Sequence, residues 1–162
     1  MNFEPENIIT DLQEAIRGQC TSDPWFAGID IFTPDDVSQE GEARTPSDIE
    51  QRIEQSLSPL SKGICIIIVL PVIGSVAPDS PGIYSDSIPL VIRIVENPLV
   101  NRGDNGTRKT SSMTAIRIMR RLQHFTYREC LVTIKSAKRV PDENALVWDI
   151  QAQTSLNIPE LQ

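Results

Sequence analysis

Residues 103 to 110 read Gly-Asp-Asn-Gly-Thr-Arg-Lys-Thr, close to the spacing of a phosphate-binding loop. Such a loop uses two glycines to bring backbone N–H groups against phosphate oxygens, a lysine to meet their charge and a hydroxyl to hold magnesium. Gly103, Lys109 and Thr110 stand at matching positions, with the apolar run "IPLVIRIVE" before them and the helical pattern "SMTAIRIMRRL" after. Arg108, however, takes the place of the second glycine, where a side chain fills phosphate space and disfavours the backbone angles that glycine supplies. The strand ends near Asn97-Pro98, several residues too early for a tight turn. The one apolar strand that closes on an acid able to hold magnesium, "ALVWD", follows another strand with no crossover helix, which does not give a parallel sheet. Nucleotide hydrolysis is not expected. The pattern predicts a loop with left-handed turns at Asn and Gly, then a helix capped by Thr110 or Ser111.

The remaining reactive side chains form no constellation. His124 is the single histidine and ends a basic helix, and no Gly-x-Ser-x-Gly nucleophile motif is present. Cys20, Cys65 and Cys130 are odd in number and far apart, and two lie in apolar strand-like runs, which predicts buried free thiols. One histidine does not complete a metal set with them. Arg102-Gly-Asp104 reproduces an adhesion tripeptide, a chance match in a chain that reads as cytoplasmic. The expectation is a protein that is not an enzyme, with no catalytic residue, cofactor or metal.

Charge carries a stronger signal than any motif. The net charge of −7 conceals 13 acids and 3 bases in residues 1 to 60, against 2 acids and 10 bases in residues 101 to 139. Arg108, Lys109, Arg117, Arg120, Arg121 and Arg128 form the candidate interaction surface. Nucleic acid is one partner that such a stretch suits, because neutralising phosphates releases counterions. The acidic balance of the whole chain, the lack of interleaved aromatics and the absence of a reading motif count against it. The alternative is protein contact: acids of one subunit against bases of the next make a heterologous interface, which closes into a ring if the rotation permits.

These residues need a scaffold, and the length of 162 residues suits one domain that buries roughly 70% of its unfolded surface. Ile8, Ile9, Leu12, Ala15 and Ile16 form a helical stripe that Gly18 is expected to close. Ile29 and Ile31 share a face of a short strand. In "TPSDIEQRIEQSLSPL" Thr45 is placed to cap, Pro46 suits the first helical position, and Ile49, Ile53, Leu57 and Leu60 fall on one face. "GICIIIVL" is apolar on both faces, as an interior strand should be, and with no helical segment before "IPLVIRIVE" the two are expected to pair antiparallel. Met113, Ile116, Met119 and Leu122, with Ala115 and Phe125, mark a third helix that turns Arg117, Arg120 and Arg121 to solvent. "CLVTIKSA" and "ALVWDIQA" make a closing hairpin in which Leu146, Trp148, Ile150 and Ala152 share a face.

The expectation is thus an α+β domain spanning 1–162, with a mixed, mainly antiparallel sheet of about five strands, three helices packed on it, and long loops at 33–44, 71–87 and 98–109. No membrane contact is expected: the longest apolar run, Ile64 to Val76, is broken by Pro71 and Gly74 and falls short of the ~20 residues a bilayer requires. The N-terminus lacks the layout of a secretion signal.

The order helix, strand, helix, strand, strand, helix, strand, strand resembles the tail terminator, or tail-completion, family of phages and prophages. The resemblance is carried by "ENIITDLQEAIRG", the paired strands "GICIIIVL" and "IPLVIRIVENP", the loop "LVNRGDNGTRKT", the helix "SMTAIRIMRRLQHF" and the hairpin closing at "VWDIQAQ". It lies in layout, not in invariant residues. It implies a non-enzymatic structural protein that forms a ring, commonly of six subunits, at the junction of tail and head. Its partners would be copies of itself and other tail or head-connector proteins, and it would be found in the cytoplasm or in a virion-like particle. The runner-up is a nucleic-acid-binding accessory protein that uses residues 102–139.

Overall fold

A computed structural model describes residues 7–33, 46–70 and 83–158. Helix α1 (Ile8–Thr21) is followed by a 3-10 turn at Pro24–Phe26 and strand β1 (Asp30–Phe32). Helix α2 (Pro46–Leu57) leads to β2 (Ile64–Val69) and the long β3 (Ile83–Glu96). A one-turn helix α3 (Pro98–Asn101) and helix α4 (Ser111–Leu122) precede the short β4 (Thr126–Tyr127) and β5 (Cys130–Leu131), then β6 (Thr133–Val140) and β7 (Leu146–Ile158). A five-stranded sheet runs in the order β1-β2-β3-β7-β6, and β4 and β5 pair separately. This is the α+β architecture expected, with a mixed sheet. β2–β3, β3–β7 and β6–β7 are antiparallel, and β1–β2 is parallel because α2 supplies the crossover between them.

The sheet buries both faces at its centre. Ile64, Ile66 and Ile68 of β2 point to one face with Leu90, Ile92 and Ile94 of β3 and Ile150 of β7, all at most 1% exposed. There they meet Leu12 and Ile16 of α1 and Ala115, Ile118 and Leu122 of α4. Each fully buried side chain of this size contributes roughly 1.5–3 kcal/mol. Cys65, Ile67, Val95 and Val147 point the other way and form a smaller cluster against Ile53 and Leu57 of α2. The layers are therefore α1 and α4, sheet, then α2. β3 and β7 pair from Ile83↔Ile158 to Glu96↔Leu146, so their outer ends form a ribbon that passes beyond the pairing of β2 and β6.

Several local expectations are corrected. Gly18 does not stop α1, which runs on to Thr21 and buries Cys20 against the core. Burying that extra turn outweighs the modest helix penalty of one glycine. On α4 the buried face is Ser111, Thr114, Ala115, Ile118 and Leu122, while Met113 and Ile116 are 48% and 60% exposed. The small polar residues face inward because Ser111 and Thr114 bond within the loop–helix junction, which rotates the helix away from its most apolar side. Leu60 lies beyond the end of α2 and is exposed, not part of its apolar face. A short helix, α3, occupies the start of the segment read as a loop at 98–109. Of the loop read at 71–87, residues 83–87 belong to β3, and 71–82 lie outside the described residues, as do 34–44, the Thr45 cap and the Ile49 side chain.

Candidate interaction surface

The segment between β3 and α4 is built around two buried polar residues, Glu96 and Asn101. Glu96 accepts from Asn101 Nδ2 at 2.7 Å, from Arg102 Nε and Nη2 at 3.2 Å each, and from the Ser111 backbone N–H at 2.9 Å. Burial alone would push this carboxyl up, but the bonds from Arg102, Asn101 and Ser111 together outweigh it and hold the group below the ordinary glutamate value. Asn101 also donates to the Lys109 carbonyl at 2.9 Å, and its own carbonyl accepts from the Arg108 N–H at 2.8 Å. A methyl group at Gly106 would lie 2.0 Å from that same carbonyl, so this turn is closed on itself.

The lysine, the Ser111 N–H and the Thr110 hydroxyl that a phosphate loop would use are already engaged. The Lys109 ammonium donates to the carbonyls of Trp25 and Ala27 and lies 5.2 Å from the Trp25 ring centre. At the N-terminus of α4, Glu96 takes the Ser111 N–H, and Thr110, one of the two caps the sequence offers, accepts from the Met113 N–H at 3.3 Å. Arg108 adopts a φ of 59° in spite of its side chain and reaches the exposed Asp104 at 3.6 Å. The loop therefore takes a left-handed residue where glycine would be easier.

Of the six candidate residues, the structure separates inward from outward. Arg117 donates to Asp23 at 2.8 Å and lies 5.8 Å from the Trp25 ring centre. Arg121 bonds the Gln19 carbonyl at 3.3 Å and the Ser22 hydroxyl at 2.9 Å, with Asp23 at 4.0 Å. The Arg117 bond, with a second from the Trp25 N–H, holds the Asp23 carboxyl below its usual range. Both guanidiniums, expected at the solvent face, thus clamp α4 to the turn after α1. Arg128 has a φ of 52° and its guanidinium lies 5.6 Å from the Tyr127 ring centre. Arg120 is exposed and makes no ion pair among the described residues; with Met113 and Ile116 it forms one outward stripe. The basic stretch is thus divided: Lys109, Arg117 and Arg121 turn inward, Arg102 reaches in to Glu96, and Arg108, Arg120, Arg128, Lys135, Lys138 and Arg139 are exposed.

A groove on the opposite face of the sheet had no counterpart in the sequence reading. It measures about 540 Å³, with Ile67, Val95, Val140 and Val147 as its floor and Ile53 and Leu57 of α2 as one wall. Glu54 stands on the α2 rim and Asp142 on the β6–β7 turn, and neither has an ion-pair partner among the described residues. Asp142 accepts from the N–H groups of Asn144 and Ala145, which fixes the turn. Along the floor Arg93 grips Asp149 through two bonds of 2.8 Å each, which raises the Arg93 pKa. Arg93 and Asp149, each flanked by apolar residues, pair directly across β3 and β7, a signal that two charges share one face.

The three thiols are buried and free, as expected. Burial pushes Cys20 and Cys65 up to about 12 and Cys130 upward, so none is a ready nucleophile near neutral pH. No group of metal-ligating side chains occurs among the described residues, and no helix there is long and apolar enough to cross a membrane. No protein-family model and no curated protein matches the chain. What fold and surface define at this point is a class: an α+β protein with an exposed stripe on α4 on one side of its sheet and a groove beside α2 on the other.

Proposed function

We propose that the chain is a non-enzymatic structural protein that assembles with copies of itself, as a tail terminator or tail-completion ring of a phage or prophage does where tail meets head. The observation that carries this reading is the placing of two unlike surfaces on opposite sides of the sheet. One is the apolar and basic stripe of α4, the other an acid-rimmed apolar groove beside α2. Unlike surfaces on opposite sides support head-to-tail contact, which closes into a ring or grows into a filament according to the rotation per subunit. The layout of helices and strands supports the tail assignment, with other tail or head-connector proteins as further partners.

The nucleic-acid reading loses weight because Arg102, Lys109, Arg117 and Arg121 are spent on internal carboxylates and carbonyls. Gel filtration with light scattering, at low and at high salt, tests the proposal. A discrete oligomer that loosens with salt is expected, since rim charges are screened. A monomer in both, or steeply salt-dependent binding to DNA by a monomer, would replace it with the alternative.

A further inference from the structure

We infer that the outward stripe of α4 in one copy docks into the groove between α2 and the β6–β7 turn of the next copy. The inference rests on the self-assembly proposed above and names the contact. Three observations carry it. Met113, Ile116 and Arg120 fall within one helical face, at spacings of three and four residues, so they present two apolar side chains followed one turn later by a cation. That order suits a helix laid in a groove, where anchors recur at such spacings. The groove supplies the complement: an apolar floor of Ile67, Val95, Val140 and Val147, flanked by the carboxylates of Glu54 and Asp142. Its one floor cation, Arg93, is already taken by Asp149, so an incoming guanidinium meets net negative charge.

The two surfaces cannot meet within one chain, since α4 packs on the α1 side of the sheet and the groove opens on the α2 side. A single contact of this kind is not two-fold symmetric, because it leaves the groove of one copy and the stripe of the other unfilled. The contact propagates. Met113 and Ile116 stand at its centre, where burial excludes water and truncation is most costly, whereas Glu54, Asp142 and Arg120 form a rim that steers and orients.

The test uses two full-length variants altered only at exposed positions. Ile116→Asp destroys the stripe and leaves the groove, while Glu54→Lys combined with Asp142→Lys reverses the groove rim and leaves the stripe. Circular dichroism first establishes that each is folded. Sedimentation velocity should then show each variant alone as a monomer, with self-association weakened at least about tenfold. Mixed, the pair should form a one-to-one heterodimer and stop there, through the intact groove of the first variant and the intact stripe of the second. A third variant, in which Arg120→Glu is added to Glu54→Lys/Asp142→Lys in the same chain, should recover self-association because its stripe and rim are again of opposite charge. An oligomeric wild type whose variants remain equally oligomeric would overturn this contact and leave the assembly reading standing. If only the groove variant dissociates, another segment occupies the groove and α4 is excluded as its occupant. A wild type that is monomeric at every concentration would overturn both.

Discussion

Glu96 is the residue on which the candidate loop depends. Its carboxylate has no exposed area and four donors directed at it, so a neutral amide in its place keeps the shape but loses the anionic acceptor and turns an N–H₂ toward donors. Glu96→Gln should lower the unfolding free energy by roughly 2–4 kcal/mol, read from urea unfolding. The sign of its pH dependence follows from the depressed folded-state pKa. Stability from this group is complete above the unfolded carboxyl value near ~4.3 and is lost as pH falls through the lower folded value, so wild type and variant should converge in acid. Arg108 offers a second test. Arg108→Gly relieves a left-handed residue and completes the phosphate-loop pattern, yet Lys109 stays bound to the Trp25 and Ala27 carbonyls. Stability should change by under about 1 kcal/mol, and thermal-shift titration with ATP and magnesium should show no stabilisation.

At the scale of elements, α2, β2 and α3 meet closely at Gly63. Gly63 has a φ of 81°, and an added methyl would lie 2.6 Å from the Asn101 nitrogen and 2.8 Å from Val100 Cβ. Gly63→Ala should therefore cost more than about 2 kcal/mol and broaden amide signals through α3, a change that NMR would detect. Much of this level was legible in the sequence. A run apolar on both faces marked β2, alternation marked β7, and Thr110 was one of two candidate caps because a hydroxyl before a helical pattern satisfies a free N–H. The rotation of α4 was not legible, because hydrophobicity alone favours Met113 and Ile116 inside, whereas Thr114 and Ser111 go in through bonds to Thr110 and Glu96. The inward turn of Arg117 and Arg121 was equally hidden. Asp23, their shared partner, lies 94 residues from Arg117 in the chain, and no local pattern reports such a pairing.

For the whole molecule, the basic stretch offers fewer free cations than the count of its bases suggests. Internal bonds hold Arg102, Lys109, Arg117 and Arg121, while Arg120 stands beside exposed Met113 and Ile116, on the side of the sheet opposite a groove edged by Glu54 and Asp142. In the proposed reading, the exposed stripe of α4 and the groove beside α2 serve assembly of the chain with copies of itself. Native mass spectrometry of the untagged protein over a wide concentration range tests that claim most directly. A single closed oligomer of identical subunits is the predicted result, and a monomer that persists at the highest concentration would contradict it.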